Sequence, residues 1–239
     1  MTSDGHRAVR VTSWNVHGCV GADRSCDPER VLAAIGRAGS DIVALQEIDG
    51  RAQFGRKEHA FERFAEGLGP NIVEARTILR PRRDYGHLLW SRWPIERSAV
   101  RRLSGGRFEA RMAIDAVIRT PIGSLRVLSA HLGLIGRDRR RQAAELAEWA
   151  GETQGPTLVL GDLNEWRASG PVDAVLGASL PVRLIPRTWP ASRPLARMDR
   201  FYASRDISVE SVDRDEASRF WSDHLAVTAD LRWPPVELG

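Results

Sequence analysis

At 239 residues, 42% of them hydrophobic and 28% charged, the chain carries enough apolar content for a substantial core, which argues against a disordered protein. Its net charge of +4 comes almost wholly from arginine, Lys57 being the single lysine, and two cysteines are too few for a disulfide scaffold. No apolar run approaches the roughly 18 residues of a membrane helix, and the N-terminus carries no apolar leader. One cytoplasmic domain spanning residues 1–239 is therefore the expectation, with Cys19 and Cys26, which flank one loop, either as reduced thiols or as a bridged pair.

In chain order, the first strand is AVRVTSWNV (8–16). Asp27-Pro28-Glu29 then opens a helix, with Asp27 as N-cap and Pro28 in the first position, and the helix runs to Gly39. DIVALQEI (41–48) is a continuously apolar strand, which implies cover on both faces. A second helix is expected over about 58–68, ending at Gly67 or Gly69, followed by a strand at HLLWS (87–91). RMAIDAVIRT (111–120) and SLRVLSAHL (124–132) flank Pro121-Ile122-Gly123 and form a predicted hairpin. RDRRRQAAELAEWA (137–150) sets Ala143, Leu146, Ala147 and Ala150 at helical spacing. TLVLGDL (157–163), RMDRFYAS (197–204) and HLAVTADLRW (224–233) complete the strands. Strands with inserted helices predict an α/β sandwich, two sheets packed face to face with helices outside.

The chemistry sits at the strand ends. Asn15 closes the first strand, Glu47 the second and His131 a later one. Asp162 and Asn164 follow TLVL, Asp199 lies in another strand, and Asp223 and His224 open the last. Polar groups at buried strand ends cost free energy unless they share a partner. Magnesium, which takes oxygen ligands and needs only one or two carboxylates beside a substrate phosphate, is a suitable one. Phosphoester hydrolysis also needs a nucleophile made from water and a proton for the leaving group, tasks open to carboxylate and histidine. Zinc-type Cys/His spacing, the G-x-S-x-G elbow, the Walker loop and G-x-G-x-x-G are all absent.

SWNVHG (13–18), ALQEID (44–49), SAHLGL (129–134), GDLNEW (161–166), RMDRFY (197–202) and SDHLAV (222–227) occur in that order over most of the chain. Together they resemble the endonuclease/exonuclease/phosphatase superfamily of DNase I-like proteins. The resemblance is nearest to small bacterial members of undefined substrate. It implies a four-layer α/β/β/α sandwich of two mixed sheets and a Mg²⁺-dependent hydrolase, with Mn²⁺ as a substitute.

On that resemblance Glu47 is the metal-binding glutamate. Asn15 borders metal and phosphate, and Asp223 is a further acid at the metal. Asp162 orients or deprotonates water, Asn164 holds the phosphate or that water, and Asp199 orients His224. His131 is a phosphate contact or general acid. His87 stands where relatives carry an asparagine, as a substitute hydrogen-bonding group, a residue that tunes substrate choice, or a structural residue. Arg111, preceded by Glu109, is equally a phosphate contact or half of an ion pair. His17 is left outside the site. Trp166, Trp189 and Trp221 lie near it in sequence, as core residues or as walls for a base or headgroup. Basic clusters at 80–83 and 137–142, with these tryptophans, make nucleic acid the first expectation for the phosphoester substrate. A phospholipid headgroup, inositol phosphate or other small phosphoester is the alternative. Retention of the metal glutamate, the D-x-N pair and the final histidine argues against a catalytically silent binding module.

Overall fold

In the computed structural model, residues 8–78, 84–106 and 109–235 are described, and the basic cluster at 80–83 lies outside them. One six-stranded sheet contains β1 (Val9–Asn15), β2 (Ile42–Asp49), β3 (Ile72–Ile78), β4 (Tyr85–Ser91), β11 (Ser208–Asp215) and β12 (Ala226–Arg232). Its order is β11-β12-β1-β2-β4-β3. The second contains β5 (Ile95–Leu103), β6 (Arg111–Thr120), β7 (Gly123–His131), β8 (Thr157–Asp162), β9 (Val182–Leu184) and β10 (Asp199–Ala203). There the order is β5-β6-β7-β8-β10-β9. Four helices flank them: α1 (Pro28–Ala38), α2 (Ala60–Leu68), α3 (Gly136–Ala150) and α4 (Pro171–Ser179).

The apolar pattern explains the four layers. In β2, Ile42 and Ala44 face the inter-sheet core with Ile114, Val127, Leu160 and Phe201. Val43 and Leu45 face the other way, onto Val31 and Ile35 of α1 and Phe61 and Phe64 of α2. On the far side, Leu128 and Val159 meet Ala143 and Leu146 of α3 and Leu176 of α4. Strands covered on both faces must be apolar throughout, as these are. The expected α/β/β/α sandwich is thus the observed fold.

Local signals work as expected. The Asp27 side chain accepts the Glu29 N–H, and Gly39 closes α1 in the left-handed region at φ 63°. Thr120 pairs with Gly123 across the predicted hairpin. Both cysteines are free thiols. No helix among the described residues is long and apolar enough to cross a membrane.

The registers bring one end of each sheet together. Asn15 pairs with Gln46, and His131 and Asp199 both pair with Asp162. Strands β7 and β8 approach closely there. At Gly161, φ 137°, an added Cβ would stand 1.9 Å from the Ala130 carbonyl oxygen. Gly161→Ala is therefore expected to destabilise the fold by about 3 kcal/mol. The readout is the urea midpoint, and an unchanged midpoint would contradict so close an approach.

Candidate active site

Glu47 is positioned by a β-bulge. Across the β2–β4 pair Leu45 faces Leu88 and Ile48 faces Gly86, so Gln46 and Glu47 together oppose His87. Glu47 adopts φ 57°, unusual for a non-glycine residue, and the bulge turns its carboxylate toward the strand ends. Asn164 is similarly left-handed at φ 51°, just beyond β8.

The centre of the cluster is one oxygen, Asp162 Oδ2. Asn15 Nδ2 donates to it at 2.9 Å, His131 Nε2 stands 3.6 Å away and His224 Nε2 3.8 Å away. Asn15 Nδ2 also donates to Glu47 Oε1 at 2.9 Å, while its own oxygen accepts the His17 N–H. The other Asp162 oxygen accepts the Asn164 backbone N–H at 2.9 Å, and the Asn164 amide donates to the Leu132 carbonyl. Each of these side chains is thus held by its neighbours.

The two buried histidines beside Asp162, His131 and His224, have pKa values shifted in opposite directions. Burial works against charge on His224, yet Asp199 and Asp162 outweigh it and push its pKa up to about 10. Its Nδ1 lies 2.9 Å from Asp199 Oδ2, an oxygen that also accepts from the Thr188 hydroxyl. His131 is brought down to about 4 by burial and by the Arg111 charge. Arg111 Nη1 sits 3.1 Å from His131 Nδ1. A guanidinium can only donate, so Nδ1 accepts and the hydrogen of the neutral ring is on Nε2, facing Asp162.

His17, set aside on sequence, lies in this cluster. Its Nδ1 is 3.7 Å from Glu47 Oε2 and 3.5 Å from Asp223 Oδ1. Hydrogen bonding to Glu47 raises its pKa despite partial burial. Burial disfavours charge on Glu47, but His17, His131 and Asn15 together hold its pKa well below the usual carboxylate range. A lone histidine after a strand gave no signal of this, because its partners come from β2 and from the segment before β12.

Arg111 and His87 back the site rather than open onto it. Both are buried, and Arg111 lies 3.6 Å from Glu109. His87, close enough to Arg111 to feel its charge, is lowered to about 4, chiefly by burial, and its Nε2 has no hydrogen-bond partner. Asp223 accepts from Trp189 Nε1 at 3.1 Å, which ties that ring to the rim, and Trp166 packs edge-on against it at 5.2 Å. Trp221 instead packs against the α1–α2 core. Two further groups invisible in the sequence set the last segment. Ser222 Oγ donates to the Asn15 carbonyl and accepts the His224 N–H, and Trp14 Nε1 donates to the His224 carbonyl.

Glu47, His131 and Asp162 offer ligand atoms within 4.8 Å of one another, a candidate divalent-metal centre. The donor set suits an oxygen-seeking cation: two carboxylates converge here, and Asp223 Oδ1 nearby has no hydrogen-bond partner. With its hydrogen on Nε2, His131 faces these oxygens as a donor, which leaves the carboxylates as the ligands.

A two-sheet sandwich with acids, amides and imidazoles gathered where the sheets meet is the architecture of metal-dependent phosphoesterases. The chain belongs to the Endonuclease/Exonuclease/phosphatase family, whose model matches residues 12–224. It is 28% identical to the uncharacterized protein YbhP of Escherichia coli strain K12, over 94% of this chain and 96% of that one. The endonuclease/exonuclease/phosphatase of Beutenbergia cavernae shares the fold with a TM-score of 0.79 at 22% identity, covering 96% of this chain and 72% of that one. The mannosyl-6-phosphatase of Bacteroides thetaiotaomicron superposes with a TM-score of 0.70 at 15% identity, covering 95% and 100%.

Proposed function

We propose that the chain is a Mg²⁺-dependent phosphodiesterase that uses water as its nucleophile. The observation that carries this reading is the convergence of Asn15, His131 and His224 on a single oxygen of Asp162, beside Glu47. Glu47 would hold the cation, with Asp223 at its edge and Asp162 facing it as the base. When bound, the cation supplies charge neutralisation for the phosphate oxygens and makes water easier to deprotonate.

The residues divide the remaining work. Asp162, kept in place by Asn15 and the Asn164 N–H, accepts a proton from the attacking water. His224, charged at neutral pH, meets the negative charge that develops on the phosphoryl oxygens. Asp199 and Thr188 hold its ring. Neutral His131 donates from Nε2 to a phosphate oxygen, with Arg111 fixing its tautomer. Asn15 braces the two carboxylates and Asn164 contacts the phosphate.

Two substrate classes fit. The edge-to-face Trp166–Trp189 pair beside Asp223 supports a nucleobase next to the scissile phosphate, the first expectation from sequence. Exposed aliphatic side chains on the connections around the site, Leu134, Ile135 and Leu195, support the alternative, a phospholipid headgroup, and we rank it first. The test is a panel of plasmid and single-stranded DNA, RNA, phosphatidylglycerol, sphingomyelin, inositol phosphates and a bis-aryl phosphodiester, each with Mg²⁺, Mn²⁺ or chelator. Cation-dependent cleavage of a phospholipid supports this ranking, selective cleavage of nucleic acid reverses it, and chelator-resistant cleavage contradicts the metal reading.

The Asp199–His224 pair also predicts a pH dependence of stability. The His224 pKa in the folded protein, about 10, lies above its ordinary value of roughly 6.5. Its charge therefore contributes stability that is fully present below about pH 6.5 and is lost as pH rises through about 10. Asp199→Asn is expected to be less stable than wild type near pH 6.5 in chelator. Urea unfolding should show that gap closing toward about pH 10. A gap independent of pH would contradict the pairing.

A further inference from the structure

Eight large apolar side chains stand exposed among the described residues. Val100 and Val212 lie on β5 and β11, which end their sheets. The other six are Phe54, Leu134, Ile135, Trp166, Leu195 and Phe220, and every one lies on a connection at the active-site end of the sandwich. Phe54 follows β2 beyond Glu47, Leu134 and Ile135 follow His131, and Trp166 follows Asn164. Leu195 precedes Asp199, and Phe220 precedes Asp223. Leu134 is 74% exposed and Leu195 59%, values that mark side chains projecting into solvent rather than edges of the core. Apolar exposure gathered on one face marks an interaction surface.

The same connections carry cations. Lys57, Arg167, Arg193 and Arg219 on these connections, and Arg137 in the first turn of α3, are exposed, and none forms an ion pair among the described residues. Arg219 stacks over Phe220, 5.0 Å from its ring centre. Acids on these connections are largely engaged or turned inward. Asp138 accepts the Gly106 N–H, Glu216 pairs with Arg214, and Glu165 is buried. The face is thus apolar at its projections and positive around them.

We propose that this face docks the enzyme on an anionic phospholipid bilayer, with Leu134, Ile135 and Leu195 inserted at the headgroup–acyl boundary and the arginines on the lipid phosphates. The proposal rests on the phosphodiesterase reading and deepens it, because docking sets the site directly over headgroup phosphoesters. Aliphatic projections separate a bilayer from a nucleic acid. Bases stack on aromatic rings, and leucine or isoleucine offers no ring to stack on. A bilayer takes up aliphatic and aromatic side chains alike, to a depth of roughly 5–10 Å. Each basic residue near an anionic surface adds about fivefold to the affinity. The arrangement implies interfacial attachment rather than a span.

The test is co-sedimentation of the whole chain, in chelator, with vesicles of equimolar phosphatidylglycerol and phosphatidylcholine and with phosphatidylcholine alone. The variant is Leu134→Ser/Ile135→Ser. Both side chains are exposed, and hydrolysis of a soluble bis-aryl phosphodiester in Mg²⁺ should be unchanged in it, which reports an intact fold and site. Wild type should bind the anionic vesicles, more weakly as salt rises, and the double variant about tenfold less. No binding to anionic vesicles, or equal binding by the double variant, overturns the proposal. Binding of duplex DNA that the double variant loses, with none to vesicles, overturns it in favour of nucleic acid. Vesicle binding in chelator with no phospholipid cleavage in Mg²⁺ supports the docking surface and removes the headgroup substrate.

Discussion

Replacing His224 with alanine is expected to slow phosphodiester hydrolysis by about 10³-fold at neutral pH, with little change in KM. His224 is the one buried histidine in the centre whose pKa is raised, and Asp199 and Asp162 keep it charged. Its Nε2 looks toward Asp162 Oδ2 from 3.8 Å, so a phosphoryl group bound over that oxygen lies within reach of the cation. Stabilisation of charge that exists only in the transition state appears in kcat rather than in ground-state binding. His224→Gln keeps a hydrogen-bond donor without the charge and should recover only part of the loss. Steady-state kinetics of the two variants separate the donor from the charge. An alanine variant that remains folded and turns over at the wild-type rate would remove His224 from the chemistry.

Glu47→Gln should act on cation affinity first, raising the Kd for Mg²⁺ by 100-fold or more by analogy with the roughly 10–100-fold cost of losing a group that merely supports a metal ligand. The substitution removes one of the two carboxylates that converge in the centre. It preserves size and a hydrogen-bonding group, so the bulge should survive. Calorimetric titration with Mg²⁺ reads the affinity directly. An unchanged Kd would move the cation away from Glu47, toward Asp223. His17 provides a control, because it contacts both Glu47 and Asp223 without being a suitable ligand for magnesium.

The central layers and most of the candidate site are legible in the sequence for one physical reason. Strands β2 and β8 are covered on both faces and must be apolar along their length, which makes Glu47, Asp162 and Asn164 conspicuous where the apolar runs stop. Strands β3, β5 and β11 left no such trace. They lie at or near sheet edges and read IVEARTI, IERSAVRRL and SVESVDRD, with charges scattered where a half-buried strand would alternate. The short helix α4 was missed because its nine residues carry few of the usual helix signals beyond Pro171. His17 and Thr188 escaped for a different reason. Each gains its meaning from a residue far along the chain, Glu47 and Asp223 for the one and Asp199 for the other. The apolar rim was equally hidden, since Leu134 and Leu195 look like ordinary core residues until exposure is known.

The most direct test of the metal-dependent centre is hydrolysis of a bis-aryl phosphodiester by wild type and by Asp162→Asn, measured in chelator and after Mg²⁺ is restored. Wild-type activity should vanish in chelator and return with Mg²⁺, while Asp162→Asn, folded by circular dichroism, should stay about 10³-fold slower than wild type once Mg²⁺ is restored. Hydrolysis that persists in chelator, or an Asp162→Asn variant as fast as wild type with Mg²⁺, would contradict a cation-assisted centre built around Asp162.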